Sequence, residues 1–137
     1  MKEKIITIAN KIEQLDVLVA ELEQIAEEWE LPMAFSMNLN LVLEELVTNI
    51  IFYGYTDDAV HEITILFATD DQKIKLELTD DAKAFNPLLA AEPDMNTSIE
   101  DMKIGGLGIH LVKKIMDDIQ YQRIDDKNIL TLTKNLS

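Results

Sequence analysis

Glu45 and Asn49 lie four residues apart in a segment, Leu39 to Phe52, that is otherwise nearly all apolar. On a helix that spacing puts both polar heads on one face. Burying them must be compensated, either by a Glu–Asn hydrogen bond at a helix edge, with Glu44 simply solvated, or by a ligand that uses both groups. A second candidate is Asp80-Asp81-Ala82, which ends an alternating segment, the place where a carboxylate can project into a crevice beside a sheet. An ordinary Asp-rich turn is its plainer reading. The third is Gly105-Gly106-Leu107-Gly108, opening a helical pattern. Glycines there allow close backbone approach and leave N–H groups aimed along a helix dipole, which suits an anion, although a tight turn needs the same residues. The segment is neither a dinucleotide fingerprint nor a P-loop, because it follows a long irregular stretch, precedes a hairpin pattern and lacks a Gly-Lys-Ser/Thr ending.

Elements must exist to hold these residues. Ile6-Thr7-Ile8 predicts an opening strand. Leu15, Leu18, Val19, Leu22, Ile25, Ala26 and Trp29 recur at helical spacing, with glutamates opposite and Pro32 as the stop. Trp29 reads as a core-edge aromatic. A second helix is expected from Ser36, as N-cap, to Gly54, mostly buried because apolar residues nearly surround it. Glu62–Ala68 and Lys73–Thr79 alternate as a hairpin, and Gln120–Ile124 with Ile129–Lys134 form another around Asp125-Asp126-Lys127-Asn128. Between them, Leu107, Leu111, Val112, Ile115, Met116 and Ile119 predict one apolar helix stripe, with Lys113, Lys114, Asp117 and Asp118 facing water. Asn86 to Ile104 shows neither period, and its length argues for a functional lid or disorder; we take the lid. Helices interleaved with hairpins predict an α+β, two-layer sandwich, with a mixed or mostly antiparallel sheet and helices on one face.

Composition limits the partners. The 137 residues suit a single domain, 1–137, and 12 Lys and Arg against 26 Asp and Glu leave a formal charge of −14. So acidic a chain is ill suited to grip nucleic acid or an anionic membrane. A small phosphorylated ligand remains possible where backbone N–H groups and a divalent cation supply the positive field. No cysteine is present, and no run of apolar residues reaches the length of a membrane span. A cytoplasmic location is the expectation.

Taken together and in order, the three segments resemble the histidine-kinase-like ATPase family, and within it the anti-sigma-factor serine kinases of partner-switching systems. Glu45-Leu46-Val47-Thr48-Asn49 is similar to that family's Glu-x-x-x-Asn box, Asp80 to Leu88 to its Asp-x-Gly box, and Gly105 to Val112 to its Gly-x-Gly lid hinge. The resemblance implies ATP or ADP as ligand and Mg²⁺ as cofactor, with Asn49 the metal ligand and Glu45 the general base or the group that orients the attacking hydroxyl. It implies that Asp80 accepts from the adenine amino group, beside Ala82. Gly105, Gly106, Leu107 and Gly108 would cradle the phosphates, with Lys103 in reach. It further implies a STAS-domain anti-anti-sigma protein as phosphoacceptor, a sigma factor as a second partner, and a homodimer. The rival reading is a non-catalytic module that sequesters a sigma factor or another protein, with nucleotide structural or absent. His61 and His110 read as strand-edge and helix-surface residues.

One position departs from the pattern: where the family has glycine, this chain has Ala82, and residue 84 is also alanine. If position 82 needs a left-handed backbone, the Cβ costs roughly 1–2 kcal/mol. If adenine packs on this turn, the methyl crowds the base. Either cost predicts weakened nucleotide binding that glycine would relieve.

Overall fold

The computed structural model describes residues 2–70, 72–89 and 106–136. Strand β1 (Lys2–Ala9) is followed by α1 (Leu15–Glu28) and α2 (Met33–Tyr53). The hairpin β2 (Glu62–Thr69) and β3 (Lys73–Asp80) comes next, then α3 (Gly106–Ile115) and the hairpin β4 (Asp118–Ile124) and β5 (Lys127–Asn135). Single 3₁₀ turns occupy Ile12–Gln14 and Pro87–Leu89. The five strands form one sheet in the order β1-β2-β3-β5-β4, and every neighbouring pair is antiparallel. The expected α+β sandwich is therefore present, with an antiparallel rather than mixed sheet.

Alternation explains why one face of that sheet is covered. Ile63, Ile65 and Phe67 on β2, Ile74, Leu76 and Leu78 on β3, and Leu130 and Leu132 on β5 are buried, whereas Thr64, Lys75, Glu77 and Thr131 between them are partly open. Successive side chains point to opposite faces of a strand, so the buried set forms a single apolar surface. Leu18, Leu22 and Ile25 of α1, Leu39, Val42, Leu43, Leu46 and Val47 of α2, and Ile109 and Val112 of α3 close over it. The spacing of those residues supplies one apolar stripe per helix.

Several boundaries differ from the pattern-based expectation. The second helix starts at Met33 with Pro32 at its N-cap, not at Ser36, whose hydroxyl instead donates back to the Met33 carbonyl at 3.0 Å. Proline favours a helix start because its lost N–H would be unpaired there anyway, and that preference outweighs serine's as a cap. Leu41 and Phe52, expected in the buried surround of this helix, are exposed. The third helix stops at Ile115, so Asp118 and Ile119 open β4 instead of continuing the stripe, and Leu111 is exposed. Helix α1 ends in a Schellman motif: Leu31 N–H donates to Ala26 O at 2.9 Å, Glu30 N–H to Glu27 O at 3.3 Å, and Glu30 takes a left-handed φ of 54°. Trp29 packs at the core edge, as expected.

Candidate functional site

Asp80 is the last residue of β3 and faces the helices, in phase with Ile74, Leu76 and Leu78. Its side chain is 5% exposed, one of the few buried charged groups among the described residues. Its Oδ1 accepts from Ala82 N–H at 3.0 Å and from Asn128 Nδ2 at 2.9 Å. Burial pushes the Asp80 carboxyl above the usual carboxylate range, against the pull of those two hydrogen bonds; Asp81 adds to the rise and Arg123 opposes it. Oδ2 has no protein hydrogen bond among the described residues, yet it is not sealed off. One oxygen is thus fixed and the other is free to accept.

Asn128 is the residue that sequence reasoning missed. Paired with Asp80 in the β3–β5 register, it bonds to Asp80, to Lys83 O at 3.0 Å and more weakly to Ala82 O at 3.4 Å. Arg123, opposite Asn128 on β4, donates to Ala82 O at 2.8 Å. A signal existed: Asn128 is in phase with Leu130 and Leu132, so it is a polar residue in an apolar stripe.

The turn after Asp80 is also joined to α2. Lys83 N–H donates to Gly54 O at 3.0 Å, and a Cβ built on Gly54 would stand 2.7 Å from the Ala82 Cβ and 2.6 Å from Ile50 O. Gly54 is where close approach forbids a side chain. Ala82 is 3% exposed and is not among the residues with positive φ. This removes the first of the two costs expected of alanine: the backbone here is ordinary, and the methyl is housed against Gly54.

About one and a half helical turns before Gly54, Asn49 Nδ2 donates to Glu45 Oε1 at 3.3 Å, both side chains half-buried while Glu44 is exposed. A carboxylate only accepts, so it turns the NH₂ end of the amide toward itself and leaves Asn49 Oδ1, a hard oxygen, for another partner. Burial raises the Glu45 carboxyl, the Asn49 hydrogen bond lowers it, and the Glu44 charge raises it further, with a net rise. A carboxylate moved in that direction is a better proton acceptor.

The connection between α2 and β2 holds a cluster that the strand-edge reading of His61 did not foresee. His61 stacks on Tyr55 with ring centres 4.1 Å apart, and its two ring nitrogens meet Asp57 at 2.8 Å and Asp81 at 3.1 Å. Tyr55 OH also donates to Asp81 at 3.0 Å. Hydrogen bonds to the Asp57 and then the Asp81 carboxylate raise the His61 pKa. Burial alone would raise the Asp81 carboxyl, but His61 and Tyr55 together hold it below its ordinary value. The cluster therefore ties this connection to the residue after Asp80.

Of the glycine segment, Gly106, Leu107 and Gly108 form the first turn of α3, which packs against α2. Lys103, Gly105 and most of the expected 86–104 lid lie outside the described residues. Lys113 on α3 donates to Leu88 O at 3.3 Å, linking that helix to the segment after the Asp80 turn. His110 is half-buried on α3.

A five-stranded antiparallel sheet with helices packed on one face is the histidine-kinase-like ATPase fold. The model of the histidine kinase-like ATPase domain matches residues 8–134, and the chain belongs to that family. Among named relatives, the serine/threonine-protein kinase BtrW of Bordetella bronchiseptica is 30% identical over 116 residues, 83% of this chain and 80% of that protein. The serine-protein kinase RsbW of Bacillus mycoides is 29% identical over 97 residues, 68% of this chain. The chain spans 60% of the length of that Bacillus protein. A crystal structure of the RsbU and RsbW domains of a Mycobacterium tuberculosis protein superposes with a TM-score of 0.71, covering 99% of this chain and 33% of that one. At 14% identity this establishes the shared fold.

Proposed function

We propose that this chain binds ATP with Mg²⁺ and transfers the γ-phosphate to a serine of a small STAS-domain anti-anti-sigma protein, acting as an anti-sigma-type regulator in the cytoplasm. The observation that carries the reading is Asp80: a buried carboxylate with one oxygen committed to the protein and the other open, held in a turn docked on the helix that bears Glu45 and Asn49. Such an acceptor suits the amino group of adenine. Asn49 Oδ1 fits a hard cation. Among the described residues no three His, Asp or Glu side chains converge on a metal position, so phosphate and water oxygens would supply much of the shell around a cation held by Asn49. Bound there, Mg²⁺ would offset phosphate charge, which this acidic chain does little to neutralise.

Glu45 takes the proton from the attacking serine hydroxyl. As the new bond from that oxygen to the γ-phosphorus forms, the bond to the β–γ bridging oxygen breaks and ADP leaves with its electron pair. Gly106, Leu107 and Gly108, with Lys103 and Gly105 upstream, are assigned to the phosphates through backbone N–H groups at the start of α3. In this reading residues 1–137 act as one domain, with 86–104 as its lid, and the kinase works as a homodimer that also engages a sigma factor. Relatives named serine-protein kinase support the reading. Incubation with labelled ATP, Mg²⁺ and a STAS protein encoded nearby tests it. Label on a serine is expected; nucleotide binding without transfer would favour the sequestering module, and no binding at millimolar nucleotide would overturn the ATP site.

A further inference from the structure

We propose that Asn128 is a positioning residue that makes Asp80 selective for a base carrying an exocyclic amino group over one carrying an oxo group. The inference rests on the reading of Asp80 as the base-recognising acceptor.

Its ground is the chemistry of the amide's partners. Asn128 is 6% exposed, and both ends are held by groups with only one possible role. Phe85 N–H can only donate, and it meets Oδ1 at 3.3 Å, where the Tyr121 hydroxyl also donates at 2.5 Å. The Lys83 carbonyl can only accept, and it meets Nδ2 at 3.0 Å. The carbonyl end of the amide is therefore Oδ1 and the amine end Nδ2. One amine hydrogen goes to Lys83 O and the other to Asp80 Oδ1, so Asn128 cannot rotate to accept from Asp80 without breaking bonds at both ends.

That orientation has a chemical consequence for the ligand. A donor fixed on Oδ1 favours the ionised form of Asp80, although burial opposes it. An ionised carboxylate can only accept, which matches adenine's amino group and repels the 6-oxo group of hypoxanthine. A protonated Asp80 could donate to that oxo group and would lose the preference. The other titratable groups around Asp80 are Asp81 in the same turn, Arg123 and Tyr121 on β4, and Tyr55 in the α2–β2 connection. Of these, Arg123 favours the carboxylate and Asp81 disfavours it. Asn128 alone donates a side-chain hydrogen bond to it among the described residues.

Asn128→Asp keeps the shape but replaces the donor with a second carboxyl, so the pair would share a proton at pH values where Asp80 alone is ionised. Titration calorimetry with ADP and IDP, on the whole chain from acid to mildly alkaline pH, reads the effect. In the parent, the preference for ADP should fall as pH drops through the Asp80 pKa. In Asn128→Asp that midpoint should move to higher pH, and just above the parent's midpoint the preference should shrink roughly tenfold or more. Tyr121→Phe removes one of the two donors that pin the amide and should shrink the preference about threefold; it decides the matter if Asn128→Asp does not fold. A merely structural role would weaken both nucleotides in proportion and leave the midpoint where it was, and that result overturns the inference, as does an unchanged profile. If the parent itself binds ADP and IDP alike, the reading of Asp80 fails first.

Discussion

The two halves of the candidate site are held very differently. Around Asp80, Ala82, Lys83, Phe85, Tyr121, Arg123 and Asn128 are joined by a continuous set of hydrogen bonds, with Asp80, Ala82 and Asn128 buried at its centre. On α2, Glu45 and Asn49 share one bond at 3.3 Å, both half-buried. The first arrangement is preorganised for a ligand of fixed shape; the second leaves its oxygens adjustable. Recognition of a rigid base gains from the former, since ordering costs are met on folding rather than on binding. Proton transfer, whose geometry tightens only when reactants arrive, tolerates the latter.

Changes on the loosely held side should separate chemistry from binding. Glu45→Ala is expected to lower phosphoryl transfer by about 10²–10⁴-fold while ADP affinity stays near the parent's; single-turnover transfer beside calorimetry measures both, and equal transfer rates would end the general-base assignment. On the tightly held side the effect should fall on binding. Asp80→Asn puts an amide in a place that receives two donors, and ADP affinity should drop roughly 10–100-fold, again read by calorimetry. The comparison is broken if Glu45→Ala loses affinity as much as Asp80→Asn does.

The contact between the two regions offers a smaller, paired test. Gly54→Ala would drive a methyl against Ile50 O and the Ala82 Cβ, which should cost about 1–3 kcal/mol in urea denaturation. Adding Ala82→Gly removes one of the two obstructions, so the double variant should recover about 1 kcal/mol relative to the sum of the singles. Ala82→Gly alone should not tighten ADP binding, because the methyl lies in ordinary backbone against Gly54; a tenfold gain would show that it crowds the base after all.

Smallest is the contribution of His61. Its pKa is raised by Asp57 and Asp81, so the stabilisation is fully present below the unfolded value of 6.5 and is lost as pH rises through the higher folded value. Thermal melts should show the parent losing more stability across that window than His61→Gln. Parallel curves for the two proteins would mean that the cluster contributes nothing through protonation.

How much of this could be read in the sequence depends on how far apart the partners are. Alternation in Ile74, Leu76 and Leu78 marked a strand with one buried face, and the four-residue spacing of Glu45 and Asn49 anticipated a bond within one helix. Local geometry decides both. Asn128, by contrast, meets Asp80 across 48 positions of chain, and Gly54 meets Ala82 through packing that no spacing encodes. The backbone of Ala82, likewise, is ordinary in a turn set by contact with Gly54, which no local pattern announces. The start of α2 was misplaced for a different reason: Ser36 has the side chain of a cap, but Pro32 already stood where the chain could begin to turn. Tyr55 and His61 carried no periodic signal, since the stack forms in an irregular connection.

The hairpin between β4 and β5 turns at Asp125 and Asp126, with φ of 52° and 62°, and joins Ile124 directly to its partner Lys127. Two left-handed residues in succession give the tight turn whose twist matches the strands, and such a turn admits one register only. That register puts Asn128 opposite Asp80. Adding a single residue to the tip would tend to rotate β5 by one position and send Asn128 to the open face of the sheet. Length variation at this tip is therefore closed to the protein for as long as it needs its base pocket, whereas substitutions that keep the turn's shape remain open to it.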